Sequence, residues 1–404
     1  MEVSNVRSSR LRADVYDAKV VDTKILSAPD VPEKRHIEIK IPSDMTYQAG
    51  DYLAILPLNP PEIVQRVMRR FNLAWDSVLT INAAGGTILP SGVPLSGQDL
   101  FGAYVELGQP ATKRNILMLA EASTNEGVKR ELESLAGDTY SAEISEKRVS
   151  ILDLLDRFPT IQLPLGNFIA SLPPMRTRQY SISSSPLWNP HRVTLTYGVL
   201  HQTHMSGLGE YVGVASNYLS KLVAGDTLHV SVRPSSQAFH PPTDAEHTPV
   251  LMVAAGTGLA PFRGFVQERA AQVGAGRDLA PALLFLGCRD PDKDELYRQE
   301  FDKWEAMGAV KVVRAYSRKP VASNGCKYVQ EQILAHKDDV LKLWDEGSKV
   351  YVCGSRALEA AVRDVSKKLH FERAKQKGTE VSEEDAEAWF ETLRNARFAT
   401  DVFT

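Results

Sequence analysis

The sequence of 404 residues has only three cysteines and contains no long apolar run. An odd and sparse set of cysteines argues against a disulfide framework and fits a reducing compartment, so we expect a cytoplasmic protein. No stretch of about 18 consecutive apolar residues is present, and the first residues lack the apolar segment of a signal peptide. We therefore expect neither a membrane span nor a signal peptide.

The sequence also lacks an excess of charge of either sign. It has 47 lysine and arginine residues against 50 aspartate and glutamate residues, which gives a net charge of -3. Proteins that bind nucleic acids or anionic membrane surfaces usually carry a clear positive excess. Cysteine and histidine show no spacing typical of a metal site, and no internal repeat is visible. We expect no metal, and neither nucleic acid nor membrane as a partner.

Apolar residues make up 43% of the chain, which is enough for the cores of two or three domains. Alternating apolar residues predict half-buried strands near residues 36–58 and again from 192 to 233. Between these two blocks, apolar residues recur at helical spacing, with Ser150 as the expected N-cap of one helix. We predict one antiparallel barrel that is interrupted by a helical insertion. The barrel would consist of residues 1–60 and 173–243, and the insertion of residues 61–172.

Residues 244–404 differ in character, because short and almost wholly apolar runs alternate there with helical patterns. Runs such as PVLMVAAG and KVYVCGS predict the strands of a parallel sheet that is covered by helices on both faces. In such sheets, ligands bind at the carboxyl ends of the strands. The predicted fold class is mixed β and α/β: an antiparallel barrel with a helical insertion, followed by a parallel-sheet α/β domain.

Two segments with small residues at a helix start are suited to binding phosphate. In AAGTGLAPFRGF, Gly256 and Gly258 would let backbone N–H groups approach a pyrophosphate, and Pro261 suits the first turn of the next helix. In GEYVGVASNYLSKL, the small residues 213–216 begin a helix whose N-terminus attracts anions. A tight strand–helix turn and a plain capped helix would explain the same two segments without a ligand.

Hydroxyl and cationic side chains follow the third strand of the parallel sheet, in AYSRKPVASNGCKYVQ. A NAD-specific site usually has an acidic residue there, whereas a site that recognises a phosphate has cations. Ser317, Arg318, Lys319 and Lys327 are donors or cations, and Arg318 could pair with a 2′-phosphate. A solvated basic loop is the alternative interpretation.

A cysteine and the end of the chain allow both a functional and a structural interpretation. Cys353 could be a redox or catalytic thiol, or a small buried side chain at the end of a strand, as is also expected for Cys288. The final segment RFATDVFT places an aromatic one residue from the end, after an acid. It could be a frayed tail, although an amphipathic helix capped by Ser382 would anchor it.

The stretch RQYSISSSP, residues 178–186, combines an arginine and a tyrosine with four serines. A surface loop could carry this composition. A site that holds an anion and a flat ring together could carry it as well, because a guanidinium binds an anion and an aromatic ring stacks on a flat ring.

Taken together, these motifs resemble the ferredoxin–NADP reductase superfamily and, more closely, the diflavin reductases such as NADPH–cytochrome P-450 reductase. RQYS resembles the flavin signature of that family, GVAS its pyrophosphate segment, and GTGLAPFRGF its NADP loop. YSR…KYVQ resembles its 2′-phosphate site, VYVCG its cysteine strand, and TDVFT its terminal Asp-x-aromatic. The resemblance covers nearly the whole chain, and the helical insertion marks the diflavin members. Several segments look most like the reductase part of self-sufficient fatty-acid hydroxylases.

The sequence departs from the family pattern at four places. Alanines occupy positions 254–255, where Gly-Pro is usual, and Ser355 replaces the acid that usually follows Cys-Gly. The lysine of the phosphate site is shifted by one position to Lys327, which makes Arg318 the safer candidate for that role. Phe403 stands where tryptophan is common.

The resemblance implies FAD on the barrel and NADPH on the domain of residues 244–404. Arg178 would bind an FAD phosphate, Tyr180 would pack on the isoalloxazine ring, and Ser181 would hydrogen-bond near N5. The catalytic group would be Ser181, Cys353, Asp401 and Phe403. Further residues that would bind FAD are Thr196, Tyr197, Gly198, Gly213, Val214, Ala215 and Ser216. The residues that would bind NADPH are Gly256, Thr257, Gly258, Pro261, Cys288, Arg289, Ser317, Arg318, Lys327, Tyr328 and Gln330. Phe403 would also contact the cofactors.

By resemblance, the chain would be an NADPH-dependent flavoprotein reductase of the NADPH–hemoprotein reductase type. It would pass a hydride from NADPH to FAD, and single electrons to FMN on a flavodoxin-like domain that feeds a haem monooxygenase. Neither partner domain is recognisable here, so we expect the chain to be part of a longer protein. The alternatives are a stand-alone flavodoxin or ferredoxin reductase, a reductase subunit of the sulfite reductase type, and a nucleotide-binding interaction module without catalysis.

Overall fold

The computed structural model describes residues 11, 14–82, 87–203, 205, 207, 210–376, 378, 382–394 and 396–403. The strands are β1 (Tyr16–Ile25), β2 (Lys34–Lys40), β3 (Tyr52–Leu56), β4 (Val78–Thr80), β5 (Pro94–Ser96), β6 (Arg178–Ser181), β7 (Arg192–Gly198), β8 (His201–Thr203), β9 (Glu210–Val212), β10 (Thr227–Arg233), β11 (Val250–Ala255), β12 (Ala282–Cys288), β13 (Lys311–Tyr316), β14 (Lys349–Ser355) and β15 (Phe398–Phe403). The α-helices are α1 (Pro61–Arg70), α2 (Gly97–Asp99), α3 (Lys113–Glu121), α4 (Glu126–Ala136), α5 (Ile151–Arg157), α6 (Leu165–Ser171), α7 (Val214–Lys221), α8 (Leu259–Gly274), α9 (Arg298–Ala306), α10 (Val329–Ala335), α11 (Lys337–Asp345), α12 (Arg356–Gln376) and α13 (Glu383–Leu393).

Six antiparallel strands form the barrel, in the order β6-β3-β10-β1-β2-β7. The sheet closes on itself through a bridge between Ile182 and Leu195 and a hydrogen bond of 2.8 Å from the Ser183 N–H to the Thr194 carbonyl. Alternate residues such as Ile37 fill the interior and are fully buried. The predicted antiparallel barrel is confirmed, whereas the domain boundaries themselves stay predictions.

The outer face of β7 is buried as well, which its alternating pattern did not predict. Thr194 and Thr196 are 2% and 4% exposed, because the C-terminal domain covers them. The Thr194 hydroxyl accepts a hydrogen bond of 3.1 Å from Arg263 on α8, and the Thr196 hydroxyl lies 2.7 Å from the hydroxyl of Tyr297, just before α9. This strand therefore joins the barrel to the parallel-sheet domain.

The insertion between β3 and β6 packs around an apolar core of its own. The predicted helices are present as α3, α4 and α5, and the Ser150 hydroxyl caps α5 by accepting a hydrogen bond of 3.1 Å from the Asp153 N–H. The hairpin of β4 and β5 was not predicted, because strands of three residues are too short to show alternation.

The C-terminal domain contains a parallel sheet in the order β13-β12-β11-β14-β15. Met252 packs into the apolar core on one face with α8 and α9, and Val253 packs into the core on the other face with α12 and α13. The predicted α/β domain with helices on both faces is confirmed. The frayed-tail interpretation is wrong for residues 398–403, because β15 pairs with β14 along its whole length. Within the described residues, every helix is too short or too polar to cross a bilayer.

Candidate functional site

A carboxylate lies where the barrel meets the parallel sheet. Asp401 on β15 accepts a hydrogen bond of 2.9 Å at Oδ2 from the Ser181 hydroxyl, and one of 2.9 Å at Oδ1 from the Tyr52 hydroxyl. The Cys353 thiol donates to Oδ2 over 3.7 Å. The predicted residues Ser181, Cys353 and Asp401 are therefore together. Tyr52 was missed, because its stretch GDYLAILPL indicated only a strand.

Two pairs of cross-strand neighbours build this group. Tyr52 lies opposite Ser181 between β3 and β6, and Cys353 lies opposite Asp401 between β14 and β15. Burial, followed by the nearby carboxylate, raises the pKa of the Cys353 thiol well above its ordinary value, and the same two causes raise the pKa of Tyr52. Both groups keep their protons at neutral pH and act as hydrogen-bond donors to Asp401.

Phe403 lies two residues after Asp401 on the same strand. Since side chains alternate along a strand, both project to the same side of the sheet. The ring of Phe403 is 43% exposed. An exposed aromatic ring therefore stands on the side of the sheet that carries the Asp401 group.

Two tyrosines lie side by side within the barrel, close to the end of β6. Their rings are 5.9 Å apart and nearly perpendicular, with Tyr180 half-buried and Tyr197 2% exposed. Burial raises the pKa of both hydroxyls. The Tyr197 hydroxyl has no hydrogen-bond partner among the described residues, although buried polar groups nearly always have one.

The other predicted residues of β7 do not share the position of Tyr197. Thr196 projects to the opposite side of the strand, where its hydroxyl contacts Tyr297 of the C-terminal domain. Gly198 is exposed at the end of the strand and lies opposite Lys34 of β2. Their contact with a cofactor stays a prediction.

Arg178 forms a two-pronged ion pair with Glu106 of the insertion. Both guanidinium Nη atoms lie 2.7 Å from a carboxylate oxygen, and Glu106 is only 2% exposed. This pairing raises the pKa of Arg178. With a further bond of 3.0 Å to the Arg176 carbonyl, three of the five N–H donors of the guanidinium are used. Arg178, Arg114 and Arg176 all line a cleft of about 1270 Å³.

The start of α7 offers a second set of backbone donors. Gly213 is its N-cap, and in the described part of the chain no side chain caps the helix. A Cβ at Gly213 would come within 2.9 Å of both Leu200 and Ser216, so only glycine fits. Arg148, which sequence reasoning missed, donates a hydrogen bond of 2.8 Å to the Tyr211 hydroxyl and lies over its ring.

The serines of RQYSISSSP beyond residue 182 are buried rather than on a surface loop. Ser183, Ser184 and Ser185 are all fully buried, and α8 packs directly against them. A Cβ at Gly264 of α8 would come within 2.9 Å of the Ser184 carbonyl, which explains the glycine there. The Ser185 hydroxyl donates to Glu268 over 2.8 Å. Residues 182–185 are therefore closed to a ligand, whereas residues 178–181 are at least partly exposed.

The predicted NADP loop lies at the carboxyl end of β11, as expected for a parallel sheet. Residues 256–258 form a short 3-10 turn, and Pro261 lies in the first turn of α8. Gly256 has a φ of +57°, which favours glycine. A Cβ at Gly258 would lie 2.2 Å from the Cys353 carbonyl oxygen, so this glycine lets the loop, with Thr257 at its centre, approach β14.

Two arginines lie together at the ends of the neighbouring strands. The Arg318 N–H donates to the Arg289 carbonyl over 2.9 Å, and the Ser317 N–H donates to the Cys288 carbonyl over 3.0 Å. Neither Arg289 nor Arg318 has an ion pair within the described part of the chain, whereas Lys319 pairs with two aspartates at 3.0 and 2.7 Å. The contact of these two guanidinium groups with a 2′-phosphate stays a prediction.

The remaining predicted residues lie around the start of α10. Lys327 and Tyr328 are exposed, and Gln330 is half-buried on the first turn. Cys288 is the last residue of β12, next to this helix start. Burial, followed by the charges of nearby acidic residues, raises the pKa of its thiol to about 12. Cys288 is therefore a protonated thiol rather than a nucleophile at neutral pH.

A buried histidine lies at the junction of the two domains. His36 is 6% exposed, and its Nδ1 is 2.9 Å from the Tyr297 hydroxyl, while Arg263 lies over the Tyr297 ring. Burial, followed by the charge of Arg263, lowers the pKa of His36 from 6.5 to about 3. His36 is therefore neutral in the folded protein at pH 7.

This histidine should make the protein less stable as the pH falls. Between about pH 6.5 and 3 the unfolded chain binds a proton that the folded chain does not, so this residue lowers the free energy of unfolding by up to about 1.4 kcal/mol per pH unit. We expect the free energy of unfolding, measured with urea, to fall more steeply between pH 6.5 and 5 in the natural chain than in His36→Asn. Parallel losses in the two proteins would contradict the prediction.

The comparisons with known proteins match both parts of the chain. A family model described as "FAD binding domain" matches residues 8–218, and one described as "Oxidoreductase NAD-binding domain" matches residues 252–364. The two matches divide the chain between the barrel with its insertion and the parallel-sheet domain.

Similar proteins are found among fungal fusion enzymes. The chain is 60% identical over 403 residues to a bifunctional cytochrome P450/NADPH–P450 reductase of Fusarium oxysporum, covering 100% of this chain and 38% of that protein. It is 46% identical over 406 residues to a self-sufficient cytochrome P450 monooxygenase of Exserohilum turcicum, covering 100% and 38%. A bifunctional cytochrome P450/NADPH–P450 reductase of Acremonium egyptiacum is 44% identical over 399 residues, covering 98% and 37%. The chain thus spans less than two fifths of the length of these relatives.

Proposed function

The chain belongs to the FAD-binding family of the diflavin reductases, and on that premise we propose that it is the FAD- and NADPH-binding reductase part of a cytochrome P450 fusion enzyme. Its reaction is hydride transfer from NADPH to FAD, followed by delivery of single electrons to an FMN domain that feeds a haem monooxygenase. The observation that carries the proposal is the meeting of Ser181, on the flavin-binding side, with Cys353 and Asp401 on the dinucleotide-binding side.

The residues of the barrel suit FAD at each of its parts. The buried Tyr197 hydroxyl has no partner among the residues that the structure describes, and together with the adjacent ring of Tyr180 it suits a flat, polar ring system. The two remaining donors of Arg178 and the uncapped helix start after Gly213 suit the two phosphates. Two separate anion sites favour FAD over FMN, which has a single phosphate.

The residues of the parallel-sheet domain suit NADPH. The turn at Gly256 to Gly258 presents backbone N–H groups at a helix start, which suits the pyrophosphate. Arg289 and Arg318 lack ion pairs among the described residues, whereas the neighbouring Asp290 and Asp292 are both paired with Lys319. A 2′-phosphate would give these guanidinium groups the anion they lack.

When bound, FAD accepts a hydride from NADPH and releases electrons one at a time. The residues of the chain would position the two cofactors and would hold the Asp401 carboxylate beside them. Ser181 and the Cys353 thiol both donate hydrogen bonds to Asp401, and these three residues would hold the nicotinamide and the flavin against each other. Phe403 projects to the same side of the sheet as Asp401, where its ring would cover the flavin and would have to give way to the nicotinamide.

A single purification tests the proposal. The chain should be yellow, should contain one FAD, and should consume NADPH rapidly when ferricyanide is added. Cytochrome c should be reduced poorly by residues 1–404 alone, because electrons would reach it through a separate FMN domain. A colourless protein without NADPH oxidation would favour a nucleotide-binding module, and equal rates with both acceptors would favour a stand-alone reductase.

Removing the ring of Phe403 should narrow the preference for NADPH over NADH. Hydride transfer needs the nicotinamide within about 3–3.5 Å of the flavin, and a ring that covers this face lowers the population of the competent state. An aromatic stack contributes about 0.5–1.5 kcal/mol, which NADPH offsets through its 2′-phosphate and NADH does not.

The measurement is steady-state ferricyanide reduction with each cofactor at matched concentrations. We expect Phe403→Ala to raise NADH turnover, while Phe403→Tyr, which keeps the ring, leaves the cofactor preference unchanged. An unchanged or lower NADH turnover in Phe403→Ala would show that the ring does not control access to the flavin.

A further inference from the structure

We propose that Tyr52 is a positioning residue for the hydride transfer, because its hydroxyl fixes the Asp401 carboxylate in the orientation that Ser181 requires. The inference rests on the proposed function and adds a residue to it. Tyr52 comes from β3, a strand that contains none of the residues predicted for the site. Its hydroxyl donates to Asp401 Oδ1 over 2.9 Å.

The two carboxylate oxygens have different partners. Oδ2 receives the Ser181 hydroxyl at 2.9 Å and the Cys353 thiol at 3.7 Å, while Oδ1 has only Tyr52 within the described part of the chain. An aspartate carboxyl rotates about a broad, nearly twofold torsion, so one strong hydrogen bond does not fix its plane. A thiol is a weak donor. The Tyr52 hydroxyl is therefore the second strong contact that decides how the carboxylate is turned.

The strand register explains why Tyr52 and Ser181 act on the same carboxylate. They are direct neighbours across β3 and β6, and Tyr52 is also paired with Arg233 of β10 on its other side. A residue held between two strands has a fixed backbone. Its ring is half-buried, and burial followed by the Asp401 charge raises the pKa of its hydroxyl, which therefore donates at every working pH.

The start of β3 is itself anchored to the loop that leads into the C-terminal domain. Asp51, the residue before Tyr52, is 6% exposed and accepts a hydrogen bond from His240 at 2.9 Å. Its second oxygen accepts from the Gln48 N–H at 2.8 Å. The backbone of Tyr52 is therefore held by contacts that do not depend on its bond to Asp401. Such a preset donor can orient a carboxylate that belongs to the other domain.

The test removes only the hydroxyl, as Tyr52→Phe, in the purified full chain with its flavin. We expect the NADPH-dependent turnover to fall about tenfold, as for the loss of one hydrogen bond to a charged group. The KM for NADPH and the FAD content should stay within about twofold. With NADPH deuterated at the transferred position, the isotope effect on turnover should rise, because the hydride step becomes slower than the other steps.

Tyr351→Phe is the matched control. The Tyr351 hydroxyl is also at the domain junction and donates a hydrogen bond of 2.7 Å, but to the His240 carbonyl and not to Asp401. This variant loses the same atom, and its turnover and isotope effect should equal those of the natural chain. If Tyr52→Phe behaves like Tyr351→Phe, then Tyr52 has no positioning role.

Thermal unfolding gives a second measurement that needs no turnover. Tyr52→Phe should lower the melting temperature of the chain that contains Asp401, and should leave it unchanged in an Asp401→Ala background, because the contact is already lost there. Equal shifts in the two backgrounds would overturn the proposal. If the natural chain itself binds FAD but does not oxidise NADPH, the proposed function fails instead, and the unfolding experiment still decides whether the contact exists.

Discussion

Arg178→Ala should lose its flavin on dilution and gel filtration, whereas the natural chain keeps one FAD. The substitution removes the two guanidinium donors that remain after the contacts with Glu106 and the Arg176 carbonyl. Hydrogen bonds between charged groups contribute about 1.5–3 kcal/mol each, so the affinity for a bound phosphate should fall by at least tenfold. The measurement is the ratio of flavin to protein absorbance after each step.

The same substitution should destabilise the fold, and this effect has to be separated from the loss of flavin. Glu106 is 2% exposed and would lose its ion pair, although it would keep the hydrogen bonds from the Gln109 side chain and the Arg176 N–H. Removing one partner of a buried ion pair lowers the free energy of unfolding by about 3–5 kcal/mol. We expect the lower figure here, because the Arg178 side chain is 31% exposed.

A second variant makes the separation. Arg178→Ala combined with Glu106→Gln removes the unpaired charge, so its melting temperature should recover towards that of the natural chain while its flavin content stays low. Glu106→Gln alone is the control that keeps the arginine. Full retention of FAD in Arg178→Ala would show that this residue does not bind the flavin.

Arg318→Ala should lower kcat/KM for NADPH by about 10- to 100-fold and leave the value for NADH nearly unchanged. The expected loss is that of one charge-assisted hydrogen bond between a guanidinium and a phosphate. NADH has no 2′-phosphate, so its reaction does not use this contact. Ferricyanide reduction with each cofactor measures both constants.

Lys319→Ala is a matched control for this experiment. It removes a charge of the same sign from the next residue, but Lys319 is already engaged by Asp292 and Asp290, which raise its pKa. Its effect on NADPH should therefore be small. An equal loss in the two variants would point to the general charge of the loop. A loss for NADH as large as that for NADPH would show that Arg318 does not recognise the 2′-phosphate.

The fold followed from the sequence because its signals are local. Alternation at Ile37 and Ile39 predicted a barrel strand, apolar runs predicted the parallel sheet, and Ser150 and Ser382 predicted two helix caps, which are present. The outer face of β7 could not be predicted, since the burial of Thr194 depends on a domain that follows much later in the chain.

The sequence predicted the site residues that lie in short, recognisable motifs. It did not predict the residues whose role depends on a partner far away in the chain. Ser181 and Asp401 belong to recognisable motifs. Tyr52 and Glu106 do not, because a tyrosine in a strand and a glutamate in a helical insertion are ordinary residues until their partners are known. Long-range pairs of this kind have no periodic pattern along the chain, so only the three-dimensional contacts reveal them.

The central claim is that this chain passes a hydride from NADPH to its own FAD, and rapid mixing without oxygen tests it most directly. One equivalent of NADPH should bleach the flavin absorbance of the purified chain. NADPH deuterated at the transferred position should bleach it several-fold more slowly, and NADH should bleach it more slowly than NADPH. A flavin that stays oxidised in the presence of NADPH would contradict direct hydride transfer. So would equal rates of flavin bleaching with NADPH and with deuterated NADPH.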